Sequence, residues 1–149
     1  MTQHVSVTQL DAPPAVAYDY LTRPARWREW HHSSLGAEAH AMESMPTGAK
    51  FEENIRTVGF TRHLRWQVLE AKPSERWEAT ARMDDGSTVR LLYEFAPRDE
   101  GTAFTRTLDY SVAPFVLRML NATVGALKVR LESRQALRRL QAHFRRAGL

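Results

Sequence analysis

The chain reads as an α+β domain: an antiparallel meander of short strands, two short helices inserted after the first strand, and one long amphipathic helix at the C-terminus. Two observations carry this reading. From residue 36 to residue 110 the apolar residues recur with period two, and the breaks between the runs are turn sequences. After Pro114 the period changes to 3.6 and stays there almost to the end. No helical pattern separates the strands, which argues against a parallel α/β sheet. With 149 residues the chain suits one domain, residues 1–149, with a core large enough to fold alone.

The first element is a strand, "HVSVTQL", His4 to Leu10, rich in β-branched residues. A helix follows. Asp11 or Ala12 is placed to cap it, and Pro13 and Pro14 fall in its first turn, where a missing N–H leaves no helical bond unmade. Val16, Ala17, Tyr20 and Leu21 form its apolar stripe. Arg23 precedes Pro24 and is disfavoured in helix, so the helix ends near Thr22. Pro24 then opens a second short helix, with Trp27 and Trp30 on one side at i, i+3.

Six further strands are read from the alternation. "GAEAHAME" is a weak one. "AKFEENIRTV" sets Phe51, Glu53 and Ile55 on one side. "HLRWQVLEA" aligns Leu64, Trp66 and Val68, and "ERWEATARM" aligns Trp77, Ala79, Ala81 and Met83. "STVRLLYEF" aligns Val89, Leu91, Tyr93 and Phe95, and "TAFTRTLDY" aligns Phe104, Arg106, Leu108 and Tyr110. The separators "MPTG", "KPSE", "DDGS" and "PRDEG" are turn chemistry. The parity sends Thr107 and Asp109 to solvent. In the last element Val116, Leu120, Val124, Leu127 and Leu131 make one stripe, continued by Leu137, Leu140 and Phe144.

Charge and composition remove several function classes. The net charge of +4 is uneven: residues 116–149 hold eight basic residues against Glu132 alone, a net +7, leaving −3 for residues 1–115. The basic helix must bury its apolar stripe and lacks interleaved aromatics for base stacking, so its basic face reads as a solvated surface and not as a nucleic-acid site. Cysteine is absent, which excludes thiolate chemistry and disulfides and favours a cytoplasmic location. No apolar run is long enough for a membrane span, and Met1 to Leu10 lacks the apolar stretch of a signal peptide. None of the six histidines stands at i, i+4 to another, so no zinc pair forms on a helix. There is no nucleophile elbow, phosphate loop or dinucleotide fingerprint, and no cofactor is called for.

"APPAVAYDYLTRPARWREWHHSS", the sheet ending "GTAFTRTLDY" and the long terminal helix resemble the START-like (SRPBCC) superfamily, in its polyketide cyclase/dehydrase and lipid-transport branch. The resemblance covers nearly the whole chain. It implies a helix-grip fold, in which a curved seven-stranded antiparallel sheet wraps around the C-terminal helix over a cavity for apolar or amphipathic small molecules. Functions in the superfamily range from lipid or hormone binding to polyketide cyclisation.

The strand parity then proposes a lining. Phe51, Ile55, Trp66 and Trp77 share the inner faces of their strands with Tyr93, Phe104 and Leu108; the helix brings Met119 and Thr123 over them, and Trp27 and Trp30 stand at the mouth or pack beneath it. Two charged residues share the same parity: Glu53 between Phe51 and Ile55, and Arg106 between Phe104 and Leu108. A charge facing a core is costly unless paired or wet. Either a bulge reverses the faces locally, or these two are polar anchors in an apolar ligand site. His31 is a further candidate, as a general base or as a cation at a helix end. The expected function is binding of a hydrophobic or amphipathic small molecule such as a lipid, a quinone or a polyketide-like aromatic. A cyclase or dehydratase using the same cavity is the alternative. The oligomeric state stays open, a homodimer included.

Overall fold

The alternating run folds into a curled antiparallel sheet whose strands all pair with sequence neighbours except at one seam. The computed structural model describes residues 2–57, 60–111 and 122–147. Strands β1 (Thr2–Leu10), β2 (Ser34–Ala37), β3 (Lys50–Thr57), β4 (Phe60–Lys72), β5 (Arg76–Arg82), β6 (Thr88–Arg98) and β7 (Gly101–Ser111) stand in the order β1-β7-β6-β5-β4-β3-β2. The seam is β1 against β7, in regular register from Thr2↔Tyr110 to Leu10↔Thr102. Between β1 and β2 lie helix α1 (Pro14–Leu21) and a 3₁₀ helix (Pro24–Glu29), and the described C-terminal helix, α2, runs from Ala122 to Ala147.

Local chemistry explains the element ends. Pro13, not Asp11 or Ala12, occupies the N-cap of α1: Pro14 pushes the residue before it into extended geometry, and Pro13 sits at φ −65°, ψ 156° with no side-chain cap. The second helix is 3₁₀ and holds Trp27, while Trp30 stands just past its end as the C-cap, at φ −128°, with its N–H donating to Trp27 O at 3.1 Å. Trp27 Nε1 donates to Leu21 O at 2.8 Å and ties this turn to the end of α1. The β6–β7 hairpin turns through Asp99 and Glu100, both at positive φ (51° and 64°), which matches the twist of a tight hairpin. Gly101 comes next because a Cβ there would stand 2.2 Å from Leu10 O, where β1 closes onto β7.

Four expectations are corrected. The weak strand ends at Ala37, with a register shift between Ser34 and Gly36 and a 3₁₀ turn over Ala39–Met42. Gly36 sits at φ 141°, a geometry open to glycine, and this bends the chain out of the ladder. Val16 is exposed; α1 buries Ala17, Tyr18, Tyr20 and Leu21. Asp109 is buried on the outer face, beneath Arg90, whose Nη1 lies 3.5 Å from its carboxylate. Leu131 is 54% exposed, whereas Ser133, Ala136, Leu137, Leu140 and Phe144 are buried. The inner face of α2 therefore runs through Ser133, Leu137, Leu140 and Phe144, and Leu131 lies on its outward side. The expectations for Val116, Met119 and Leu120, and those for the side chains of Thr123, Val124 and Leu127, lie outside the described residues.

The inner face of the sheet carries the core. Trp27 enters it from the 3₁₀ helix and meets the rings of Phe51, Trp66, Trp77 and Tyr93 edge-on, with centroids 5.7–6.4 Å apart. Phe104 extends the cluster through Tyr93 at 5.0 Å. Aromatic pairs in this edge-to-face arrangement add to the area they bury. The end of α2 is fixed against α1: His143 stacks on Tyr20 at 4.3 Å, and Phe144 meets the same ring edge-on.

This phase is testable. Leu140, with no exposed surface, is expected to cost ~2–5 kcal/mol of unfolding free energy when replaced by alanine. Leu131→Ala and Arg134→Glu, both on the outward side, are expected to stay within ~0.5 kcal/mol. Urea unfolding of the three variants checks the assignment, and a large loss at Leu131 with none at Leu140 would reverse it.

Candidate functional site

No bulge displaces Arg106 or Glu53. The registers of β7 with β1 and β6 run without a shift past Ser6↔Arg106 and Tyr93↔Arg106, and β3 pairs regularly with β4 through Glu53↔Leu64. Both side chains consequently point to the inner face, where Glu53 is 4% and Arg106 7% exposed. Curling of the sheet lets β3 and β7, far apart in the strand order, look at one another across its interior.

Glu53 is held by neutral donors. Ser34 Oγ donates to Oε2 at 2.6 Å, and Trp66 Nε1 donates to Oε1 at 3.0 Å. The bulge in β2 is what brings Ser34 alongside Ile55 and onto this carboxyl. Burial raises the Glu53 pKa to about 7, against the lowering pull of the Ser34 and Trp66 hydrogen bonds and of Arg106. Near neutrality the group is thus present both as acid and as carboxylate.

Arg106 reaches α2. Its Nη1 donates to Ser133 Oγ at 3.3 Å, while its Nε is buried without an acceptor among the described residues. The guanidinium also bears on its neighbours electrostatically. Burial takes the Tyr93 hydroxyl up to about 12, against a lowering by Arg106. His31 keeps one edge to solvent, yet burial of its ring, then Arg106 and His32, hold it down at about 3. Its Nδ1 accepts from the Ser33 amide at 3.2 Å. His31 is therefore a neutral imidazole, not a cation at a helix end. His4, on the inner face of β1, is also lowered, first by burial and then by Arg130 and Arg106. Trp30 is 1% exposed with its ring edge-on to His31 at 5.7 Å, and its Nε1–H lacks an acceptor among the described residues.

The expected lining divides in two. Phe51, Trp66, Trp77, Tyr93 and Phe104 stand together in the aromatic cluster around Trp27, and Glu53, Arg106 and the Tyr93 hydroxyl form a polar group beside it. Ile55 and Leu108 are partly buried at the border of the core. Met119 and the Thr123 side chain lie outside the described residues. Trp27, expected with Trp30 to pack or to stand at the mouth, packs at the centre of the cluster; Ser34 and Ser133 are the contributors that sequence reasoning missed. Ser133 had a signal: it is the polar member of the series 133, 137, 140, 144. Ser34 had none, because its position depends on the bulge.

Comparison with known proteins agrees with this architecture. Residues 2–145 match the family model described as polyketide cyclase / dehydrase and lipid transport, and the chain belongs to that family. Among curated proteins none matches. Protein CV1439 from Chromobacterium violaceum is similar in structure, with a TM-score of 0.73 and 17% identity over 95% of this chain and 96% of its own. Protein MLL2253 from Mesorhizobium loti is similar at a TM-score of 0.71 and 19% identity, covering 99% of this chain and 100% of its own. DynU16, described as a putative protein in the dynemicin biosynthetic locus, gives a TM-score of 0.64 and 16% identity, covering 95% of this chain and 46% of DynU16. At such identities the likeness establishes the fold, which here is the helix-grip fold.

The buried carboxyl makes stability depend on pH in a definite direction. A carboxyl whose pKa is raised by folding binds its proton more tightly in the folded state, so its contribution falls as the pH climbs from about 4.5 to about 7 and the full penalty applies above that. Glu53→Gln keeps an acceptor and removes the titration. The variant is expected to be more stable than the parent at pH 8 by on the order of 2–3 kcal/mol, with the difference vanishing near pH 4. Urea unfolding at the two pH values measures it; a variant less stable at pH 8 would show that Glu53 is ionised and well held.

Proposed function

We propose that the chain binds a hydrophobic or amphipathic small molecule between the inner face of the sheet and α2. The observation that carries this reading is the pair of ionisable side chains, Glu53 and Arg106, buried on regular strands beside a wall of aromatic rings. A mostly apolar surface with a few converging polar groups is the usual make-up of a ligand site. The body of the ligand lies against Phe104, Leu108, Ile55 and the long helix, held mainly by burial at ~25 cal/mol per Å² of apolar surface. Glu53, Arg106 and the Tyr93 hydroxyl orient it. The family description, which names lipid transport, supports the same class of ligand. In the described part of the chain no helix is long and apolar enough to cross a membrane.

A second reading, processing of a polyketide by cyclisation or dehydration, draws on one feature, the Glu53 carboxyl that titrates near neutrality and so serves as acid and as base. The first name in the family description supports it. Binding is preferred because it needs only the burial and polarity already present, whereas catalysis also requires a second group placed for proton transfer.

N-phenyl-1-naphthylamine, a neutral apolar fluorophore, is expected to bind the folded protein saturably and with a stoichiometry of about one. Leu108→Trp, which enlarges a half-buried residue of the inner face, is expected to weaken it at least tenfold while leaving the thermal midpoint within a few degrees. Absence of saturable binding to the parent would overturn the reading.

A further inference from the structure

Among the described residues no anion forms an ion pair with the cation at Arg106. Glu53 directs its oxygens to Ser34 and Trp66. Its other neighbours are uncharged: Ser133, the Tyr93 hydroxyl and the neutral His31 imidazole. A buried guanidinium without a counter-charge is among the costlier arrangements a core can hold, and a natural chain keeps one where something compensates. Arg106 Nε–H and Trp30 Nε1–H are buried donors left without acceptors among the described residues; His4 Nε2 is unpartnered as well, and Arg76 Nε, which also makes no hydrogen bond, lies 3.3 Å from a Glu70 carboxylate oxygen. Arg106 and Trp30 both belong to the surroundings of His31: Trp30 lies edge-on to that ring, and Arg106 acts on its charge. The other three tryptophans differ, for Trp27, Trp66 and Trp77 each donate to an oxygen at 2.8–3.0 Å. Buried donors of this kind are rarely left unmatched in a native protein.

We propose that the ligand is an acid: an apolar molecule ending in a carboxylate, whose oxygens accept from Arg106 Nε–H and Trp30 Nε1–H and whose charge answers the guanidinium. Charge-assisted hydrogen bonds of this type are roughly twice as strong as neutral ones, and a guanidinium fork matches the carboxylate plane. This inference rests on the binding reading above and narrows it from apolar ligands in general to anionic ones.

The test displaces bound N-phenyl-1-naphthylamine with dodecanoate or with 1-dodecanol, chains of equal length, at pH 6, where a free carboxylic acid is ionised and Glu53 is mostly protonated. Dodecanoate is expected to displace the probe at concentrations at least tenfold lower than the alcohol, equivalent to about 1.4 kcal/mol. Arg106→Gln is expected to abolish that preference, because it weakens dodecanoate at least tenfold more than it weakens the alcohol. Trp30→Phe keeps an aromatic ring and removes the donor; it is expected to weaken dodecanoate about three- to tenfold more than the alcohol, which keeps the test open should the Arg106 variant fold poorly. Equal displacement by acid and alcohol in the parent, or a preference that survives in both variants, overturns the proposal and leaves the binding site standing. A probe that does not bind the parent at all overturns the binding reading and this one with it.

Discussion

The structure turns on how the interior divides two charges that a sheet of this kind would not ordinarily enclose. Glu53 is satisfied by Ser34 and Trp66, both neutral donors, and burial then favours its protonated form. A carboxyl that is protonated half the time near neutrality is a poor counter-ion. Arg106 brings a guanidinium, a donor-only cation that can accept no hydrogen bond in return. The inner face therefore carries a surplus of positive charge at one place, next to a wall of aromatic rings.

The surrounding elements serve that arrangement. The bulge after Ser34 sets the hydroxyl on the Glu53 carboxyl, and the 3₁₀ helix turns Trp27 into the aromatic cluster while Trp30 stays against His31. α2 supplies Ser133 to the guanidinium, and its far end is fixed by the stack of His143 on Tyr20. A further link, Ser33 Oγ donating to Glu132 at 2.8 Å, fastens the segment before β2 to the same helix. The segment from Trp27 to Ser34, with its two tryptophans and two histidines, buries Trp27, Trp30, Ser33 and Ser34. It closes one end of the interior and positions the donors there.

Much of the fold was legible because period two and period 3.6 are direct consequences of backbone geometry. The inward parity of Glu53 and Arg106 came from the same source, since their neighbours Phe51, Ile55, Phe104 and Leu108 fixed the face. What the pattern left open was whether a bulge intervened, which depends on hydrogen-bond register and not on residue type. Two corrections have the same origin. Leu131 fits a heptad-like apolar series, yet the inner face of α2 is set by Ser133, Leu137, Leu140 and Phe144, so a polar residue held a core position and an apolar one a surface position. Asp109 obeys its parity and faces outward, but Arg90 lies over it and removes it from water, an effect of long side chains that alternation does not encode. The neutrality of His31 was likewise hidden, because it follows first from burial of the ring and then from Arg106, distant in sequence.

The titration of the Glu53 carboxyl carbon tests the central claim most directly. In protein labelled with ¹³C at glutamate carboxyls, one resonance, missing from Glu53→Gln, is expected to titrate near pH 7, well above the ordinary value of about 4.5. If every glutamate carboxyl titrates between about pH 4 and 5, then Glu53 is an ordinary carboxylate, available to Arg106 as a counter-ion, and the unmatched charge on the inner face does not exist.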